Sequence, residues 1–160
     1  MKTSKNKVFR QVMLAGILWL FTSLTLANTP APVQAQTFGD FKNVEFVSNH
    51  DGDTLTFNIP DVHPLIGRKI AVRIRGIDTP ELKGKCANEI QQAIIAKRVV
   101  GEALAEMRPG TLWLRNVDRG KYFRIVADVM ISEHSLGEFL IKHGLAVVYD
   151  GGKKTHDWCK

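Results

Sequence analysis

The chain has 160 residues, of which 44% are hydrophobic and 24% charged, the proportions of one globular domain with short extensions. This composition excludes a low-complexity or disordered chain, and the sequence has no internal repeat typical of a solenoid or propeller. The net charge is +6, but residues 1–27 hold four basic and no acidic side chains, so the rest carries only +2. Any binding of a polyanion would therefore depend on a local basic cluster.

The first 27 residues have the features of a secretory signal peptide. Four basic side chains precede an apolar run from Val12 to Leu26, and a small residue follows at Ala27. The run is shorter than the ~20 residues that span a bilayer, which favours cleavage over an uncleaved anchor helix. We expect cleavage after Ala27, with Ala35 as the second choice, and export to the periplasm or the medium without a membrane anchor.

Export would place the only two cysteines, Cys86 and Cys159, in an oxidising compartment. A disulfide between them would close a long loop and fix the C-terminal residues, with a gain in stability of about 2–4 kcal/mol. Two free thiols are the alternative, and a free-thiol assay would distinguish the two states.

Residues 28–40 contain two prolines and are expected to be a flexible lead-in to a domain over residues 41–160. Alternating apolar side chains predict strands over residues 41–48, 54–59, 70–75, 111–117 and 123–131, and a short last strand over residues 146–149. Loops are expected over residues 60–67 and 78–85. Apolar steps of three and four predict a helix from Ala87 to Met107, and Ser135 can cap a shorter helix from Leu136 to His143.

This order of elements is typical of a mainly β protein with helices (α+β). It predicts a five-stranded OB-type β-barrel with one long and one short helix. Such barrels often bind single-stranded nucleic acids or sugars, but the fold alone does not establish a function.

Four polar clusters lie on separate segments. Taken singly, each has an ordinary explanation as a turn, a solvated strand face or a helix start. Together they supply what phosphodiester cleavage requires: oxygen ligands for Ca²⁺ or Mg²⁺, a carboxylate to accept a proton from water, and cations near the phosphoryl oxygens. The clusters are Asp51-Gly52-Asp53-Thr54, Arg73 with Arg75, Asp78-Thr79-Pro80-Glu81, and Lys121-Tyr122-Phe123-Arg124.

As an ordered set, these motifs resemble the staphylococcal-nuclease-like (thermonuclease) family over residues 44–149. The resemblance implies an OB-type barrel and Ca²⁺-dependent cleavage of DNA and RNA, with single-stranded substrate preferred and 3′-phosphate products. The Trp158-Cys159 ending is similar to that of the shorter bacterial exported members, which lack a long C-terminal helix. We expect a monomer without a protein partner.

The resemblance also implies a metal site and a nucleotide site. Asp53 and Asp78 correspond to the calcium carboxylates and Thr79 to the carbonyl ligand, while Asp51 would act only through water. Lys121, Tyr122 and Tyr149 correspond to the side chains that contact a bound nucleotide.

The catalytic roles are carried over in the same way. Arg73 and Arg124 correspond to the two phosphate-binding arginines, and Glu81 corresponds to the general base. Phe123 stands where the family has glycine, and glycine tolerates backbone angles that phenylalanine does not. This departure from the family could change the direction in which the turn presents the Arg124 side chain.

Two other hypotheses remain open at this point. The first is a catalytically weak nucleic-acid-binding barrel, and the second is a structural domain in which Asp53 and Asp78 bind calcium only for stability. The presence of Arg73, Glu81 and Arg124 together favours an active enzyme.

Overall fold

The described part of the fold combines one large sheet, one small sheet and helices. The computed structural model describes residues 37–120 and 124–160. In these residues the elements are β1 Glu45–Asn49, β2 Thr54–Asn58, α1 Pro64–Gly67, β3 Ile70–Ile74, β4 Ile77–Asp78, α2 Ala87–Ala105, β5 Leu112–Arg119, β6 Ile125–Ile131, β7 His134–Ser135, α3 Leu136–Lys142 and β8 Val147–Val148. The expected mixed α and β class is confirmed.

Strand pairing differs from the expected five-stranded barrel, which is not confirmed. One sheet has the order β1-β2-β3-β6-β5, with β7 also paired to β6, and a second sheet pairs β4 with β8. The strands pair antiparallel except β3 and β6, which are parallel. The strands β4 and β7 were not expected, because with two residues each they are too short to produce an alternating pattern in a sequence. The two residues of β8 lie within the short last strand expected over residues 146–149.

Backbone hydrogen bonds join the segment before β1 to β5. The amide of Phe38 donates to the carbonyl of Val117 at 2.7 Å, and Phe41 and Leu114 exchange two bonds of 2.8 Å each. Residues 38–40, which the sequence assigns to the flexible lead-in, are therefore bonded to the sheet. β1 itself begins at Glu45 rather than at residue 41, because Asn43 has a φ of 55° that interrupts the extended chain.

The helices follow local chemistry. The long helix α2 buries Ala93, Ala96, Val100 and Leu104 on one face. It ends at Ala105, short of the expected residue 107. Part of the expected loop over residues 60–67 is the short helix α1, because proline fixes φ at its first turn and the His63 ring accepts a hydrogen bond from a free amide. Among the described residues, no helix is both long and apolar enough to cross a bilayer.

The pleat of β2 and β3 separates the core from the polar face that carries the candidate site. Leu55, Phe57 and Val72 are buried in the core. Successive side chains of a strand point to opposite faces, so Thr54 and Arg73, which are paired in register, lie together on the outer face.

Candidate active site

Two buried carboxylates, Asp53 and Asp78, share one guanidinium group; we call them the carboxylate pair. Arg73 on β3 donates from Nη1 to Asp53 Oδ1 at 2.8 Å and from Nη2 to Asp78 Oδ1 at 3.4 Å. The two aspartates are 2% and 4% exposed. The register of β2 and β3 explains the contact between Arg73 and Asp53, because Arg73 pairs with Thr54, the residue that follows Asp53. The turn at Gly76, with a φ of 75°, then brings the chain to Asp78 on β4.

A tight turn before β2 fixes the first of these carboxylates. Asp51 Oδ1 accepts hydrogen bonds from the amides of Asp53 at 3.0 Å and Thr54 at 2.7 Å. At Gly52 a Cβ would lie 3.0 Å from the side chain of Thr79, so only glycine fits without displacement. The amide of Thr79 donates to Asp53 Oδ2 at 3.3 Å, which connects the turn to the chain that follows β4.

The protein environment disfavours the ionised form of Asp53 in the carboxylate pair. Burial raises the pKa of Asp53 to about 6; Arg73 opposes this rise, and the nearby Asp51 and Asp78 carboxylates add to it. A cation bound beside the pair would offset the cost of burying the ionised carboxylate of Asp53. The donor atoms are carboxylate oxygens, the ligands that Ca²⁺ and Mg²⁺ prefer, so the residues present fit such an ion.

Glu81 is connected to this pair through a lysine that the sequence analysis did not identify. Lys154 Nζ contacts Asp78 Oδ1 at 2.7 Å and also donates to Glu81 Oε1. Partial burial acts to lower the pKa of Lys154, but the bonds to Asp78 and Glu81 outweigh it, and the pKa is raised. A lysine in a polar, non-periodic stretch gives no signal in the sequence that could have indicated this role.

Glu89 holds the loop that presents Glu81. Its side chain is buried, and its carboxylate accepts hydrogen bonds from the amide of Lys85 at 2.7 Å and from the amide of Glu81 at 3.5 Å. Glu89 lies in the first turn of α2, where its own amide donates to the sulfur of Cys86. A glutamate three residues after a serine or threonine cap is a common pattern at helix starts. Here the capping residue is Cys86, so the sequence does not show the usual pattern.

Arg124 and Arg75 do not reach the carboxylate pair through any contact among the described residues. Extending the β3–β6 register by one pair sets Arg124 beside Ala71, on the same face as Arg73. Its Nε is buried and has no hydrogen-bond partner among the described residues. Arg75 instead donates to the carbonyl of Asn116 at 2.6 Å, so the two β3 arginines share a face but not a site.

Tyr149 lies against the site, as one of the three residues expected to contact a nucleotide. The Cζ atom of Arg73 is 5.9 Å from the centroid of the Tyr149 ring, and the Tyr149 hydroxyl donates to the carbonyl of Gly152 at 2.6 Å. Lys121 and Tyr122, together with Phe123, lie outside the described residues.

Comparison with known proteins establishes the family. The staphylococcal nuclease homologue family matches residues 71–158, more than half of the chain. The chain belongs to this family. As a staphylococcal nuclease homologue it is related to hydrolases that act on nucleic acids, which confirms that part of the resemblance. The matched range includes Arg73, Asp78, Glu81 and Lys154, and Asp53 precedes it.

One curated relative is a plant protein. It is an uncharacterized 38.1 kDa protein of Capnoides sempervirens, 31% identical to this chain over 102 residues. The alignment covers 62% of this chain and 28% of that protein, so the chain spans little more than a quarter of the relative. The expectation of a short bacterial exported member is not confirmed and stays a prediction.

Proposed function

We propose that the protein is an exported, calcium-dependent endonuclease that hydrolyses phosphodiester bonds of DNA and RNA. Single-stranded substrate is preferred, and the products carry 3′-phosphates. One observation carries this proposal: Arg73 bonds to both buried aspartates, and Lys154 bonds to Asp78 and Glu81. Chemically distinct groups from distant segments thus meet beside one another, which a solvated surface would not require.

In this proposal Asp53 and Asp78 hold the calcium ion, with Thr79 adding its carbonyl oxygen. When bound, the ion polarises a phosphoryl oxygen and reduces its charge. The raised pKa of Asp53 supports the assignment, because a cation would offset the cost of burying the ionised carboxylate and, to a smaller extent, the repulsion from Asp51 and Asp78.

Glu81 accepts a proton from the attacking water. Its side chain is 52% exposed, so water and substrate can reach it, while Lys154 fixes one carboxylate oxygen. Arg73 and Arg124 neutralise charge that develops on the phosphoryl group, a task that suits the planar guanidinium. Lys121, Tyr122 and Tyr149 hold the nucleotide next to the cleaved bond.

The bonds between β5 and the segment before β1 support an OB-type barrel. We infer that residues 38–44 close the sheet by joining its two edge strands, since the amides of Phe38, Phe41 and Val44 all donate to β5 carbonyls. Closure of this kind removes sheet edges and makes the outer face of β2 and β3 a rigid platform for a site.

A digestion assay on the exported chain from residue 28 onward tests the proposal. We expect cleavage of denatured DNA and RNA with calcium and none in excess EGTA. Glu81→Gln should lower turnover by about 10²–10⁴-fold while folding and nucleotide binding persist. Glu102→Gln is the matched control, because that glutamate is exposed on α2 and pairs only with Arg98 among the described residues.

Each alternative has a distinct outcome in this assay. Wild-type binding of nucleic acid without cleavage would favour the catalytically weak barrel, and neither binding nor cleavage would favour the structural domain. Full cleavage by Glu81→Gln would contradict the role of Glu81, and cleavage in EGTA would remove calcium from the mechanism.

A further inference from the structure

The C-terminal residues 150–160, here called the anchored segment, have no helix or strand although the structure describes all of them. Contacts fix the segment on both sides of Lys154. Before it, the Tyr149 hydroxyl bonds to the carbonyl of Gly152 at 2.6 Å. After it, a disulfide joins Cys159 to Cys86, with the Cα atoms 6.0 Å apart. The position of Lys154 is therefore set from two directions.

A further contact secures the far side of the segment. Trp158 is 9% exposed, and its carbonyl accepts a hydrogen bond from the Asn88 side chain at 2.9 Å. Both Asn88 and Cys86 belong to the start of α2, directly after the loop that carries Glu81. The anchored segment and the Glu81 loop thus share one support.

Lys154 uses this placement to contact two acidic groups at once. Its ammonium is 2.7 Å from Asp78 Oδ1 and donates to Glu81 Oε1. Among the described residues, Lys154 is the one side chain that bonds to the Glu81 carboxylate. An exposed carboxylate without such a partner would sample several rotamers, so the lysine restricts where Glu81 points.

We propose that Lys154 is a positioning residue that holds Glu81 beside the carboxylate pair, and that the Cys86–Cys159 disulfide keeps Lys154 in place. The inference rests on the proposed function, because it assigns to Lys154 a part in presenting the general base. It also has a consequence that does not depend on turnover. The ammonium group of Lys154, in contact with Asp78, repels a divalent cation at the same carboxylates, so Lys154 weakens calcium binding while it supports catalysis.

The test measures calcium affinity by isothermal titration calorimetry, and kcat and KM on single-stranded DNA, with the exported, disulfide-bonded protein. Lys154→Met keeps the length of the side chain and removes its charge. We expect kcat to fall about tenfold with KM nearly unchanged, because the geometry of the base is lost. We expect the calcium Kd to become about three- to tenfold lower, because one repelling charge is gone.

Two variants serve as controls. Lys154→Arg retains the charge and should recover most of kcat and the wild-type calcium affinity. Lys153→Met should match the wild type, because Lys153 has no ion-pair partner within 4.0 Å among the described residues. Tighter calcium binding combined with slower turnover would not result from a general loss of structure, since misfolding lowers both the calcium affinity and the turnover.

The disulfide is tested with the double variant Cys86→Ser, Cys159→Ser, after thermal unfolding has shown that it folds. It should change kcat and calcium affinity in the same directions as Lys154→Met, by smaller factors. An unaltered calcium affinity in this variant would overturn the anchoring role.

An unaltered kcat, or weaker calcium binding, in Lys154→Met would overturn the positioning role. A wild-type protein that neither binds calcium nor cleaves DNA would overturn the proposed function as well.

Discussion

The carboxylate pair and the anchored segment bring charged groups to the same place by different means. Asp53, Arg73 and Asp78 lie at or beside β2, β3 and β4, where ladder bonds and register determine which side chains meet. Lys154 belongs to a stretch without a ladder, held by a disulfide and a few side-chain bonds. The same carboxylate oxygen of Asp78 receives both cations.

The difference shows that periodic structure and covalent anchoring produce different vulnerabilities. A strand places a side chain through many bonds, so the loss of one residue leaves the backbone in position. A segment without regular structure depends on its anchors, and the loss of one anchor can release the whole segment. Four substitutions, taken in order of decreasing effect, test whether the two regions depend on different contacts.

Arg73→Met removes the cation between the two buried carboxylates. In calcium-free buffer near pH 7 we expect the free energy of unfolding to fall by about 3–5 kcal/mol, because Asp53 stays buried without its cationic partner and Asp78 keeps only Lys154. Turnover with calcium should fall by about 10²–10³-fold. Urea denaturation and the nuclease assay measure the two effects.

Arg75→Met is the matched control for this variant. Arg75 lies two positions further along the chain on the same face, but it bonds to backbone carbonyls of Asn116 and Val126 rather than to the carboxylate pair. Turnover should stay near the wild-type value. If both arginine variants lost activity equally, the shared guanidinium would not be the distinguishing feature of the site.

Removal of the disulfide tests the other region. The double variant Cys86→Ser, Cys159→Ser should lose about 2–4 kcal/mol of stability, because the bond closes a loop with a sequence separation of 73. The ladder contacts around Arg73 should persist, so the protein should still unfold cooperatively. Thermal melts of the oxidised and the variant protein provide the measurement, and equal melting temperatures would show that the bond adds nothing.

Sequence reasoning could predict the regions whose contacts follow from periodicity. The alternation in β2 and β3 indicated which face Arg73 occupies, and the Asp51-Gly52-Asp53 run indicated a turn at the start of β2. Those features depend on residues close in sequence or on a two-residue period, and the structure contains both.

Contacts between distant segments could not be predicted in this way. Lys154 lies 73 residues beyond Glu81, and no pattern in either segment encodes their meeting. Arg124 was expected beside Arg73 only by resemblance, and the register supports a shared face without a shared contact. Glu89 falls within the predicted helix, and nothing in the sequence indicates that its carboxylate bonds to the backbone of the preceding loop.

The free energy of unfolding of the metal-free protein should depend on pH because of Asp53 in the carboxylate pair. The pKa of Asp53 is raised from 3.8 to about 6 in the fold, so between these values the folded state binds more protons than the unfolded state. The contribution of Asp53 to the free energy of unfolding therefore falls as the pH rises through this window, by about 3 kcal/mol. Above about pH 6 the full cost of the ionised, buried group is present.

Asp53→Asn isolates this contribution from that of the other carboxylates. Relative to the wild type, the variant should gain stability between pH 4 and pH 7 in calcium-free buffer, because asparagine does not ionise. Calcium should stabilise the wild type above pH 6 and have little effect on the variant. Urea denaturation at the two pH values decides the matter: a stability difference that does not change with pH would mean that Asp53 titrates normally.

Gly84→Ala probes the junction between the two regions, the loop from Glu81 to Cys86. A Cβ at Gly84 would lie 2.5 Å from Cγ of Glu89, whose carboxylate holds the loop amides. Glu89 is buried, so it can move aside only by giving up some of these bonds, at a cost of about 1 kcal/mol. Because that shift moves the backbone of Glu81 and leaves the carboxylate pair in place, turnover should fall several-fold while calcium affinity stays within about twofold.

Lys83→Ala, at an exposed neighbouring position, should change neither quantity. A Gly84→Ala protein with weakened calcium binding would instead mean that the loop and the carboxylate pair move together, and the distinction drawn between the two regions would then be wrong.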